Sequence, residues 1–99
     1  MRLIQSVRKI LGEKERMATL RMYFAPWCGD CRAAKRYLEE RGIANVGVNI
    51  EEDPDAADLI TEKNDGRRKV PTFEVNGRWF SASPFDPAAL AEQLGLNSH

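Results

Sequence analysis

Apolar and polar residues alternate in short bursts along this chain, and between the bursts the apolar spacing widens to that of a helix. Thr19 to Phe24 (Thr-Leu-Arg-Met-Tyr-Phe) alternates and is rich in strand formers, which predicts a first strand. Ala25-Pro26-Trp27 interrupts it. Residues 29–41 then carry Ala33, Ala34, Tyr37 and Leu38 at helical spacing, and Gly42 supplies the usual stop. Val46 to Ile50 alternates again as a second strand. Asp53-Pro54 is an N-cap followed by proline at the first helical position, and the helix it opens runs to about Asn64 through Ala57, Leu59 and Ile60.

Asp65-Gly66 and three basic residues form a loop before a third strand, Thr72 to Val75. Asn76-Gly77 is the strongest two-residue hairpin signal, so Arg78 to Phe80 returns as a fourth strand. Asp86-Pro87 repeats the cap-plus-proline start, and a last helix passes Leu90 and Leu94 to Gly95. The order is β-α-β-α-β-β-α. Strands separated by helices should pair in parallel and the closing hairpin antiparallel, giving an α/β fold on a four-stranded mixed sheet.

Ahead of this pattern, Leu3, Ile4, Val7, Ile10 and Leu11 fall at helical spacing, so residues 2–15 read as an extra amphipathic helix. Charge sets the same segment apart. Residues 1–16 hold five basic and two acidic residues, a net +3, against −3 over the remaining 83. The chain therefore divides into an extension, 1–16, and one domain, 17–99, a length suited to a single core. The net charge of zero gives no reason to expect nucleic acid or an anionic membrane surface as a partner. No apolar run is long enough to span a bilayer and no signal-peptide core is visible, so a cytoplasmic location is expected.

The two cysteines, Cys28 and Cys31, are the candidate chemistry. Two cysteines scattered at random would stand three apart about 2% of the time. They also lie where a strand gives way to a helix, and a helix N-terminus favours an anion through its unpaired N–H groups and its dipole. Thiolate is the reactive form of cysteine. Cys28, at the start of the turn, is expected to be exposed and to attack a disulfide; Cys31, one turn in and more shielded, is expected to resolve the mixed disulfide. Asp30 opposes thiolate formation at short range, while Arg32 and Lys35 favour it. Together these point to a reducing rather than an oxidising protein.

A structural disulfide is a poor fit to a reducing cytosol. A zinc half-site needs two further ligands, and the only histidine is His99, so no metal site is expected within one chain. Two chains sharing an iron–sulfur cluster through Cys28, with external thiols, is an alternative. The dithiol itself carries two electrons, so no bound cofactor is required.

Trp27-Cys28-Gly29-Asp30-Cys31 between strand and helix, with Val70-Pro71-Thr72 before a hairpin, resembles the glutaredoxin branch of the thioredoxin superfamily over residues 18–95. Met22-Tyr23 and Asn49 to Pro54 are similar to the mycoredoxin-like group. The resemblance implies a cis Val70–Pro71 bond beside the cysteines. It also implies a substrate platform in which Val70 offers backbone groups, shaped by Pro71 and Thr72. Trp27 is expected to cover the site and meet protein or peptide substrates; Trp79 and Phe73 are expected only to pack.

Glutathione or mycothiol is the implied thiol co-substrate. Ala25 stands where many glutaredoxins carry a lysine, so Arg68 and Lys69, with Arg67, are the candidates for its carboxylate. Ser81 and Ala82, with Ser83, occupy the stretch that holds the tripeptide in the family, without the family's glycines. Phe80-Ser81-Ala82, Phe85 and Pro87 are also similar, with a two-residue insertion, to glutaredoxin-like electron donors of ribonucleotide reductase, which thioredoxin reductase recharges. The expected protein is a monomeric thiol–disulfide oxidoreductase acting on protein disulfides or small-thiol mixed disulfides.

Overall fold

The computed structural model describes residues 19–96. The expected helix over 2–15 and the 1–16 extension lie outside them. Seven elements follow in the expected order: β1 (Arg21–Phe24), α1 (Gly29–Glu40), β2 (Val46–Asn49), α2 (Pro54–Lys63), β3 (Thr72–Val75), β4 (Arg78–Ser81) and α3 (Pro87–Gln93). The sheet order is β2-β1-β3-β4. β1 runs parallel to β2, and the β1–β3 and β3–β4 pairs are antiparallel.

Local signals set the boundaries. Asp53 accepts a hydrogen bond from the Ala56 N–H at 3.1 Å, and Asp86 from those of Ala88 and Ala89 at 3.0 and 3.4 Å. Each satisfies donors that the first helical turn leaves unpaired. At the end of α1, Gly42 takes φ +68° and the Ile43 N–H returns to the Leu38 carbonyl at 2.9 Å. Asn76 and Gly77 both have positive φ, 52° and 80°, which is what a tight β3–β4 reversal requires.

The sheet is covered on both faces. Met22, Phe73 and Phe80 line up across β1, β3 and β4, and join Ala34, Tyr37 and Leu38 of α1 and Leu90 and Ala91 of α3 in one core. Phe73 stacks on Phe80 at 5.2 Å. The opposite face packs Tyr23 and half-buried Trp79 with Ala56, Ala57 and Ile60 of α2. Tyr23 and Trp79 lie 5.6 Å apart, with the Lys63 ammonium 5.5 Å from the Trp79 ring centre.

The expected in-out alternation of the first strand fails for this reason. Met22 and Tyr23 are both buried because β1 is central and each face has its own helices. The ladder also opens at Arg21 rather than Thr19. The second core reaches the start of α1, where Ala25, Cys28, Cys31 and Val70 belong to it.

Candidate active site

β1 ends at Phe24, and the chain turns through Ala25-Pro26-Trp27, where the Cys28 N–H closes onto the Ala25 carbonyl at 3.1 Å. Cys28 is then the N-cap of α1, with extended backbone angles. Its sulfur does what an Asp or Ser oxygen does elsewhere: Sγ accepts the Cys31 N–H at 3.0 Å. The two-residue spacer places Cys31 at the third helical position, which is the position an N-cap side chain reaches.

Cys28 is more covered than its place in the turn implied. Its exposure is 7%, against 3% for Cys31. The cover comes from another part of the chain: the Val70 carbonyl lies 3.6 Å from Sγ and takes the thiol's hydrogen bond. Both cysteines are free thiols. Burial, and then the hydrogen bond with Cys28, push the Cys31 thiol up from 9.0 to about 12.

The Val70–Pro71 bond is cis, and so is Ser83–Pro84, which nothing in the sequence reading anticipated. Among the described residues the Val70 N–H has no backbone acceptor. The Thr72 side chain turns inward. At 1% exposure its hydroxyl donates to the Lys69 carbonyl at 2.7 Å and accepts from Asn64 Nδ2 at 3.1 Å. Thr72 therefore fixes the loop that ends in Val70.

The charged neighbours divide. Asp30 accepts a long hydrogen bond, 3.4 Å, from Ser83 Oγ, which ties the cysteine turn to the segment after β4. Arg32 donates to the Pro26 carbonyl at 3.0 Å, and Lys35 pairs with Glu39 at 3.4 Å. The two cations expected to favour the sulfur anion thus have other partners, and the close donor to Cys28 is the Cys31 backbone.

Trp27 is 64% exposed, and its indole N–H donates to Glu51 Oε2 at 2.8 Å. Glu51 lies within the Asn49 to Pro54 stretch but had no expected role. The basic loop frames a polar cavity of about 360 Å³ lined by Lys63, Asn64, Asp65, Arg67 and Lys69. Arg68 is exposed and does not line it; Lys63, one turn back on α2, does. Ser81 pairs with Thr72 in the ladder, and the Ala82 N–H is taken by the Pro71 carbonyl at 3.1 Å.

Comparison with known proteins agrees with this geometry. The glutaredoxin family profile matches residues 17–80. The chain belongs to the glutaredoxin family. A Mycobacterium tuberculosis protein named as a glutaredoxin is 40% identical over 57 residues, 58% of this chain and 68% of that one. Mycoredoxin 1 of Corynebacterium glutamicum is 25% identical over 76 residues, 77% and 94% of the two chains. In three dimensions this glutaredoxin is similar to the glutaredoxin-like protein NrdH-redoxin from Escherichia coli. The TM-score is 0.62 at 26% identity, covering 75% of this chain and 92% of that one. Its family generally comprises thiol–disulfide oxidoreductases, and its cysteines stand within reach of each other. Among the described residues no helix is long and apolar enough to cross a membrane.

Proposed function

We propose that this glutaredoxin reduces protein disulfides, or mixed disulfides with a small thiol, with Cys28 as nucleophile and Cys31 as resolver. The observation that carries the reading is the Cys31 N–H aimed at Cys28 Sγ at 3.0 Å on the N-cap of α1. The bond holds Cys28 Sγ at the helix start, one turn from the Cys31 thiol that would resolve a mixed disulfide.

The chemistry balances without a bound cofactor. Cys28 sulfur attacks one sulfur of the substrate; the substrate S–S bond breaks, a mixed disulfide forms, and the departing sulfur takes a proton. Cys31 then gives up its thiol proton and attacks Cys28 sulfur. The second substrate thiol leaves, and a Cys28–Cys31 disulfide remains. The substrate gains two electrons and two protons. Burial first, and then the hydrogen bond with Cys28, hold the proton on Cys31. The hydrogen bond is lost once Cys28 is bound in the mixed disulfide, while burial remains.

The substrate platform is Val70, Pro71 and Thr72: the Val70 backbone meets an extended peptide and Thr72 holds the loop behind it. Arg68 and Lys69, with Ser81 and Ala82 across the site, are the positions proposed for a glutathione or mycothiol co-substrate, in a cytoplasmic monomer. A second reading has a specific observation in its favour. The similar NrdH-redoxin is described with a thioredoxin-like activity profile, and Ala25 lacks the lysine of many glutaredoxins. In that reading thioredoxin reductase recharges the dithiol.

One set of assays tests both. Oxidised protein is supplied with NADPH and either a glutathione or mycothiol reducing system or thioredoxin reductase, and turnover is followed on a peptide disulfide and on a small-thiol mixed disulfide. Cys28→Ser abolishes both activities. Cys31→Ser abolishes the first and keeps the second. Full turnover by Cys28→Ser overturns the proposal, and the reductant that supports turnover decides between the two readings.

A further inference from the structure

Parallel strands β1 and β2 end side by side, with Phe24 opposite Asn49 and the Ile50 N–H on the Phe24 carbonyl at 3.0 Å. From that shared point the backbone needs three residues beyond β1 to reach Trp27 and two beyond β2 to reach Glu51. The Glu51 backbone is pinned: its N–H donates to Asn49 Oδ1 at 2.9 Å, and the Glu52 N–H donates to the Asn49 carbonyl at 3.0 Å. Buried Ile50 anchors the same turn. The carboxylate that meets the indole is therefore presented from a fixed loop.

The indole is exposed, adjacent in sequence to the nucleophile, and joined by hydrogen bonding to one side-chain partner among the described residues. An aromatic ring left free at a contact surface loses rotamer freedom when a partner binds, and that loss weakens binding. A ring already held offers apolar area and a defined edge at less cost. The bond that holds this one is charge-assisted and short.

We propose that Glu51 is a specificity-determining positioning residue: it locks the Trp27 indole as a preformed docking face for the polypeptide around a substrate disulfide. The inference rests on the proposed disulfide-reductase reading and adds its substrate class. Polypeptide disulfides, which extend beyond the sulfur pair, gain from the locked ring. Small non-peptide disulfides, which engage only Cys28 and its immediate neighbours, do not.

The test is a double-mutant cycle on the full chain. Trp27→Phe keeps a ring and deletes its N–H donor; Glu51→Ala deletes the acceptor; Glu51→Gln keeps an acceptor oxygen at the same reach. For a peptide disulfide, Glu51→Ala raises KM about three- to tenfold, the range expected from leaving one side chain unfixed, with kcat unchanged. Glu51→Gln restores KM to within about twofold of wild type, as a retained acceptor of similar reach implies. For bis(2-hydroxyethyl) disulfide, Glu51→Ala and Glu51→Gln leave KM unchanged. In the Trp27→Phe background, Glu51→Ala adds nothing further.

An equal effect of Glu51→Ala in both backgrounds, or an equal effect on both substrates, overturns the proposal. A readout independent of turnover accompanies the kinetics: the Trp27 indole N–H resonance shifts on Glu51→Ala and holds its place on Glu51→Gln. If the wild type turns over neither disulfide, the oxidoreductase reading fails, while the resonance still reports the lock. An indole resonance indifferent to Glu51→Ala removes the lock even if turnover is normal.

Discussion

Replacing Thr72 with valine isolates the contribution of one buried hydroxyl to the loop behind the cysteines. Valine keeps the shape and the β-branched preference of a strand residue, so neither cavity nor propensity changes. What disappears is a donor to the Lys69 carbonyl at 2.7 Å and an acceptor for Asn64 Nδ2 at 3.1 Å. The two partners are not equally affected. Asn64 Nδ2 also donates to the Ile60 carbonyl at 2.7 Å, so it retains a bond. Lys69 is half-buried, and its carbonyl has no second protein donor among the described residues. Two neutral hydrogen bonds at about 1 kcal/mol each give a loss of about 2 kcal/mol. For a domain of this size that lowers Tm by about 8–16 °C.

Thr72→Ser keeps the hydroxyl and removes one methyl, which costs about 1 kcal/mol. Urea denaturation of the reduced proteins should therefore rank wild type above Thr72→Ser above Thr72→Val. Amide exchange over residues 66–70 should quicken only in the valine variant, because the tether itself is cut. A Thr72→Val protein within about 0.5 kcal/mol of wild type, the range of surface changes, or one more stable than Thr72→Ser, would refute the assignment.

Three further outcomes are expected. Reduced wild type should lose stability above about pH 9, because native Cys31 keeps, up to about 12, a proton that the unfolded chain releases near 9.0; the unfolded state then binds fewer protons, and stability falls as pH rises, by up to about 1.4 kcal/mol per unit. Denaturant titrations at pH 8 and 10 on wild type and Cys31→Ser check this, and the part of the decline due to Cys31 is absent from the serine variant. Phe73→Ala empties the fully buried position between Met22 and Phe80, and calorimetry or urea titration should show a loss of about 3–5 kcal/mol. Gly77→Ala forces a side chain into φ +80° at the β3–β4 turn and should cost about 1–2 kcal/mol in the same titration, with the α1 cysteine turn undisturbed in amide spectra.

How much of this was legible in the sequence depends on how far each interaction reaches. Asp53, Asp86, Gly42 and Asn76-Gly77 act on backbone within a few residues, and each marks an element boundary that the structure reproduces. The hydrogen bond from the Cys31 N–H to Cys28 Sγ belongs with them, since a three-residue step is what an N-cap side chain spans. The covering of Cys28 does not. It comes from Val70, 42 positions on, and periodicity carries no trace of a carbonyl arriving through a separate loop.

The same limit explains the other surprises. Trp27 meets Glu51 across 24 positions and Asp30 meets Ser83 across 53; both pairs are exposed and polar, and such contacts leave no apolar pattern. The polar cavity beside the basic run also takes in Lys63, because α2 ends beside the loop. Thr72, which the resemblance names for the platform, also lies opposite Tyr23 and Ser81 at the centre of the sheet, where its hydroxyl turns inward. For a dithiol at a helix start, the sulfur's donor is thus written beside it in the chain. The groups that cover it, and the ring that would meet its substrate, are fixed by residues the sequence keeps far away. On the proposed reading, reactivity and selectivity can be altered separately: changes within Cys28 to Cys31 act on the first, and changes at Glu51 act on the second without touching either sulfur.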